Sequence, residues 1–224
     1  MIMETKSRLT VAAMILLCGA IGLAETPGIK VTTEVNQSVL AAGDMQTVYL
    51  RVGLTGCPWH DEHHHRVPIN LAIVIDKSGS MSSDRKIDKA KEAALLALDR
   101  LNSDDILSVV AYDSAVEVLV PATRLTDKGY VSEKIRQLNA GGSTALYAGV
   151  EKGGSELHKF LSREKVNRII LLSDGLANVG PSSTNEVGRL GSRLAEEGIS
   201  ITTIGLGLGY NEDLMSRLAF VSDG

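Results

Sequence analysis

The chain has 224 residues, 44% hydrophobic and 22% charged, the balance of a soluble globular protein with a sizeable core rather than of a disordered one. A formal net charge of −4 leaves no basic surplus to neutralise a phosphate backbone, which argues against a nucleic-acid partner. The two cysteines, Cys18 and Cys57, are too few for a disulfide framework, and neither stands in a CxxC pair that would suggest zinc or redox work.

Lys6 and Arg8 precede an uncharged apolar stretch from Leu9 to Ala24, with Gly22 and Ala24 at the −3 and −1 positions before Glu25. This is the layout of a secretory signal peptide over residues 1–24. The expected location is therefore outside the cytoplasm, secreted or in the periplasm or cell envelope. The stretch is about 16 residues, shorter than the roughly 20 needed to span a bilayer, with an uncleaved anchor as the alternative. Cys18 does not fit lipoprotein processing, because Leu17 before it is not small. With the leader removed, Cys57 is the one remaining cysteine, read as a half-buried apolar residue.

Residues 25–66 form a β segment and connector. Ile29 to Val35 and Thr47 to Leu54 alternate with period two around an Ala-Ala-Gly-Asp turn signal, which predicts two antiparallel strands. Two strands alone are marginal in water and need a partner sheet, as in part of a β-sandwich. The connector from Gly56 to Pro68 carries His60, Asp61, Glu62, His63, His64 and His65. Such a cluster can bind a transition metal, but no distant ligand has the spacing to complete a site, so an exposed connector is the preferred reading.

From residue 67 to 224 the pattern changes. Ile69 to Ile75 is an apolar run of the kind buried on both faces of a sheet. A helix over Lys86–Leu101 follows, then a buried strand at Ile106–Tyr112. The break before Ala115–Val120 is so short that this run is predicted to be an antiparallel edge strand. Helices over 128–138 and 146–161, a strand at 167–172, a helix over 185–197, a strand at 199–204 and a helix over 211–220 complete the alternation. This predicts an α/β, Rossmann-like, doubly wound and mostly parallel sheet with helices on both faces.

Ligands in such a sheet sit beyond the carboxyl ends of its strands. The first strand runs into Asp76-Lys77-Ser78-Gly79-Ser80, the fourth into Ser173-Asp174-Gly175, and Gly141-Gly142-Ser143-Thr144 opens the helix between them. The three loops are expected at one edge. Asp76 and Asp174 offer carboxylates, and Ser78, Ser80 and Thr144 offer hydroxyls, all hard oxygen donors that favour magnesium, manganese or calcium over zinc. In an extended Asp-x-Ser-x-Ser loop, alternate side chains point the same way and converge. An ion held directly by neutral hydroxyls, with the carboxylates bonded through water, keeps positive charge at its surface and an open position, which a partner's carboxylate can fill.

Asp76-x-Ser78-x-Ser80, Thr144 within Gly-Gly-Ser-Thr and Asp174 within Ser-Asp-Gly resemble the metal-ion-dependent adhesion site (MIDAS) of the von Willebrand factor type A (VWA) domain. Asn70 to Met81, Leu176 to Gly180 and Tyr210 to Leu214 also look like secreted bacterial type A proteins labelled homologues of calcium-activated chloride channels. The channel label carries no weight, since such names pass along by similarity. The resemblance implies a magnesium ion coordinated by Ser78, Ser80 and Thr144, with Asp76 and Asp174 reaching it through water. It also implies a protein ligand rather than catalysis. Gly141, Gly142 and Ser143 would shape their loop. Family members continue past Ser222-Asp223-Gly224 into a further strand, so the domain at 67–224 is expected to lack its final strand.

Other readings compete. Ser78 and Ser80 can cap the following helix and hold no ion. A phosphohydrolase with Asp76 as nucleophile wants a second acid two residues on, where Ser78 stands. A structural or assembly component of a multidomain envelope protein is a further alternative to the adhesion module. Gly205-Leu206-Gly207-Leu208-Gly209 lacks the spacing of a dinucleotide loop and is read as turn glycines. Asp113 and Ser114 are expected to support the site from behind.

Overall fold

The structure, a computed structural model, describes residues 29–35, 47–56 and 66–224. The expected leader, Cys18, Cys57 and the His60–His65 cluster lie outside the described residues. Contacts divide the chain into two compact units between His65 and Arg66. Among the described residues no helix is long and apolar enough to cross a membrane.

In the first unit, β1 (Ile29–Val35) pairs antiparallel with β2 (Leu50–Gly56), Ile29 opposite Gly56 and Val35 opposite Leu50. The second strand begins three residues later than its alternating run. Val31, Val35, Leu50, Val52 and Leu54 fall on one face of this ribbon, because directly opposed residues share a side, and all five are exposed.

The second unit is one five-stranded sheet between two helical layers. Its strands are β3 (Ile69–Asp76), β4 (Ile106–Tyr112), β5 (Val116–Arg124), β6 (Val166–Ser173) and β7 (Ser200–Gly205), in the spatial order β5-β4-β3-β6-β7. All pairings are parallel except β4 with β5. The helices are α1 (Lys86–Asp99), α2 (Lys128–Arg136), α3 (Leu146–His158), α4 (Thr184–Glu196) and α5 (Glu212–Phe220), and a 3-10 segment spans Gly79–Arg85. Leu71, Ile73 and Ile75 of β3 face a core completed by Ala90, Ala94 and Leu98 of α1 and Val131 and Ile135 of α2. Ala72 and Val74 face the other core, with Val150 of α3, Leu190 of α4 and Leu218 of α5. A strand with a core on each side has to be apolar at successive positions, which is why β3 reads as a continuous run.

Chain order and spatial order part company between β3 and β6. The chain grows outward from β3 to β4 and β5, then returns to place β6 on the other side of β3. Loops leaving the carboxyl ends of β3 and β6 diverge there and leave a crevice. Asp76 ends β3, and Asp174 follows β6.

Several boundaries differ from the sequence reading by a few residues, two of them for local reasons visible in the structure. The edge strand runs to Arg124, through Pro121. The register slips there, with Val120 opposite Val109 and Thr123 opposite Leu107, and the intervening Ala122 N–H donates to Glu156 of α3 at 2.9 Å. An edge bulge of this kind is where a strand tolerates proline. The helix expected to reach Leu161 stops at His158, where Lys159 and Phe160 N–H turn to the carbonyls three residues back and tighten the end.

Candidate metal centre

The three loops expected at one sheet edge are joined there by main-chain hydrogen bonds. Gly141 N–H donates to Lys77 O at 2.7 Å and Gly79 N–H to Gly142 O at 2.9 Å, tying the β3 loop to the glycine loop. Asn178 and Val179 N–H both donate to Thr144 O, while Thr144 N–H donates to Asn178 Oδ1 at 2.8 Å. That clasp holds the loop after β6 against the start of α3. Gly142 takes a φ of +77°, a left-handed conformation for which glycine is suited, and a Cβ there would meet Asp113 and Ser114.

Asp76 is fully buried. Its Oδ1 accepts the Ser78 N–H at 2.8 Å, and its Oδ2 accepts the Ser173 hydroxyl at 2.6 Å and the Tyr112 hydroxyl at 3.3 Å. Burial pushes the Asp76 carboxyl above its ordinary value; the hydrogen bonds from Ser173 and Ser78 oppose that rise, and the neighbouring Asp174 charge adds to it. Burial, with the Asp76 charge beside it, pushes the Tyr112 phenol well above its ordinary value, so it remains a donor. Asp174 is also fully buried, and its Oδ2 accepts from Lys86 Nζ at 3.1 Å.

Ser78 is buried and opens the 3-10 segment as its N-cap residue, with no side-chain capping hydrogen bond. Its Oγ lies 3.2 Å from Ser80 Oγ. The two hydroxyls converge, but not by the alternation of an extended loop: Ser78 is extended, at φ −62° and ψ 167°, and Ser80 already lies in the 3-10 turn. The capping alternative fails at Ser78, since its hydroxyl is not spent on the turn's backbone donors. Thr144 is buried beside the Asn178 clasp.

The donors form a chemically coherent set. Among the described residues no group of three or more His, Cys, Asp or Glu side chains gathers, so an ion here has to rely on hydroxyls. Adjacent ligands of an octahedral ion with bonds of about 2.0–2.1 Å lie about 3 Å apart. The Ser78–Ser80 separation of 3.2 Å suits a small divalent cation.

Asp113 and Ser114 stand behind the site as expected. Lys77 donates to Asp113 Oδ2, and Ser143 N–H donates to Ser114 Oγ at 2.8 Å. Burial raises the Asp113 carboxyl, and the hydrogen bond from Lys77 together with backbone donors more than offsets it, leaving the group below its ordinary value. Four supporting residues are missed by reading the sequence for ligands: Ser173, Tyr112, Asn178 and Lys86. Ser173 and Tyr112 are the last residues of buried strands flanking Asp76, which is the signal that could have found them. Gly205 ends β7 and Leu206 to Gly209 lie in the loop after it, with helix α5 starting only at Glu212.

Residues 71–176 match the family model of the von Willebrand factor type A domain. An uncharacterized protein of Synechocystis is 32% identical over 164 residues, covering 73% of this chain and 38% of that protein. Calcium-activated chloride channel regulator 1 of Bos taurus is 29% identical over 140 residues, covering 61% of this chain and 15% of that one. The chain thus spans well under half the length of these relatives. Among solved structures, proximal thread matrix protein 1 from the mussel byssus, with a zinc-occupied MIDAS motif, superimposes with a TM-score of 0.59 at 20% identity, covering 70% of this chain and 42% of that one. Manganese-loaded TRAP protein of Plasmodium vivax gives 0.59 at 21%, covering 69% and 63%.

Proposed function

Because the chain carries a von Willebrand factor type A domain, we propose that it is a metal-dependent protein-binding module, not a catalyst. The hydroxyls of Ser78, Ser80 and Thr144 would hold a divalent cation, with Asp76 and Asp174 contributing their charge from behind. A bound ion supplies a Lewis-acidic position for a carboxylate oxygen of a partner protein. The chain's own residues prepare that position: Ser173 and Tyr112 fix Asp76, Asn178 fixes the Thr144 loop, and the paired glycines bring the loops together.

The observation that carries this reading is the pair of converging serine hydroxyls beside a fully buried carboxylate, Ser78 among them unspent on capping. Related folds hold zinc in one solved structure and manganese in another, which supports a divalent ion here. The oxygen donors and their spacing favour magnesium, with manganese or calcium as substitutes. We further place the working protein outside the cytoplasm, on the strength of the leader-like residues 1–24.

Thermal melting tests the reading. The chain stripped with chelator is expected to gain several degrees on addition of magnesium or manganese, and Asp76→Ala is expected to lose that gain. A melting point indifferent to both ions in the wild-type chain would refute the metal site. The exposed apolar face of β1 and β2 favours a second reading, assembly into a larger envelope protein through that ribbon. Capture of an envelope partner in magnesium separates the two. Loss of capture in Thr144→Ala points to the ion, and equal capture points to the strands.

A further inference from the structure

Lys86 stands where a cation is disfavoured on two counts. It is the first residue of α1, at the positive end of the helix dipole, and its side chain is only 10% exposed. What offsets both costs is Asp174, whose Oδ2 lies 3.1 Å from Lys86 Nζ. The loop after β7 is shaped around the same side chain. Gly207 has a φ of +84°, and a Cβ there would lie 2.5 Å from Lys86 Cε. The end of β6, the start of α1 and the loop after β7 therefore combine to hold one ammonium group against one of the two acids at the site.

This changes the charge that an ion meets. Two buried carboxylates alone would neutralise a divalent cation, whereas the Lys86 ammonium cancels one of them and leaves the ion with net positive charge. Lys86 also occupies one acceptor site of Oδ2, and Oδ1 accepts the Leu176 N–H at 3.3 Å, so fewer acceptor sites of Asp174 are free to turn toward an ion. Both effects weaken the hold on the metal and strengthen its pull on an incoming anion. Resting on the metal-site reading above, we propose that Lys86 is a positioning residue that trades divalent-cation affinity for affinity toward the partner's carboxylate.

The test uses the full chain with Mn2+ as the ion and acetate as the carboxylate probe. Lys86→Met removes the charge and keeps most of the stem; Lys86→Gln also retains a donor for Asp174, in case the first variant fails to fold. Titration calorimetry is expected to show Mn2+ bound about tenfold more tightly by the variants, because a unit charge inside a buried site is weakly screened. Water-proton relaxation of the Mn2+-loaded proteins is expected to show that acetate displaces bound water at several-fold higher concentration in the variants than in wild type. A merely structural lysine would instead give variants that bind both probes more weakly. Mn2+ affinity equal to or below wild type in a folded variant would overturn the proposal while leaving the metal site standing. Absence of Mn2+ binding in wild type and both variants would overturn the two together.

Discussion

At Asp76 three protein donors surround one carboxylate, yet burial outweighs them and the group titrates above its ordinary value of 3.8. The linkage sign follows from that direction: between 3.8 and the raised value the folded chain binds more protons than the unfolded chain, so stability falls as pH rises through this window. Asp76→Asn cannot ionise and escapes the loss. In chelator-treated protein the melting point of Asp76→Asn relative to wild type is therefore expected to climb from pH 4 to pH 7. For a chain of this size each kcal/mol is worth about 2–4 °C. A difference that stays constant across that range would show that Asp76 titrates alike in the folded and unfolded chain. The carboxylates with donors in excess of their burial penalty act on the acid side of the same curve. Asp105, held by Asn102 N–H, Ile69 N–H and Arg66, lies below its ordinary value although burial opposes this, so its contribution is lost only as pH falls below about 4.

Helix α3 lies close against the sheet because glycines face it at two turns. A Cβ on Gly153 would fall 2.7 Å from Val74 Cγ2, and one on Gly149 would fall 2.4 Å from Tyr112 Cδ1, on the ring that donates to Asp76. Alanine normally improves a helix interior by about 1 kcal/mol over glycine, but overpacking a core costs about 1–3 kcal/mol, so Gly153→Ala is expected to destabilise. In a double-mutant cycle by urea denaturation, Val74→Ala is expected to cost less in the Gly153→Ala background than alone; strict additivity would show that the contact does not set the helix position. The glycines of α3 were visible in the sequence, but which atoms they admit depends on a tertiary approach that no local pattern encodes. The buried strands were legible, because two-sided burial demands successive apolar residues, as in Ile69 to Ile75. The loops that carry Asp76, Ser78, Ser80 and Asp174 were legible too, since they follow buried strands, whereas Thr144 was placed by the glycine loop that opens α3. Lys86 was not: at the start of an amphipathic helix a lysine reads as solvated, and only its placement against Asp174 removes it from water.

The division of the chain between His65 and Arg66 has a physical basis on its carboxyl-terminal side. Arg66 pairs with the buried Asp105, which also accepts from Ile69 N–H, the first residue of β3, while Leu125 N–H donates to the Asp105 main-chain carbonyl at 3.0 Å. That cluster ties the entry of the sheet to the loop before β4 and the exit of β5, so the second unit closes with its own residues from Arg66 onward. Among the described residues, the members of its two cores all belong to that unit. The first unit offers two strands with an exposed apolar face, and an isolated pair of strands is marginal in water. Residues 66–224 expressed alone are therefore expected to melt within about 3 °C of the full chain, a difference worth about 1 kcal/mol at this size. They are also expected to keep the full response to magnesium. Amide exchange on both forms checks this directly: protection in β3, β4 and β6 should be the same with and without residues 1–65. Loss of protection in those central strands on truncation would show that the ribbon contributes to the stability of the five-stranded sheet. It would also shift weight from the adhesion reading to the assembly one.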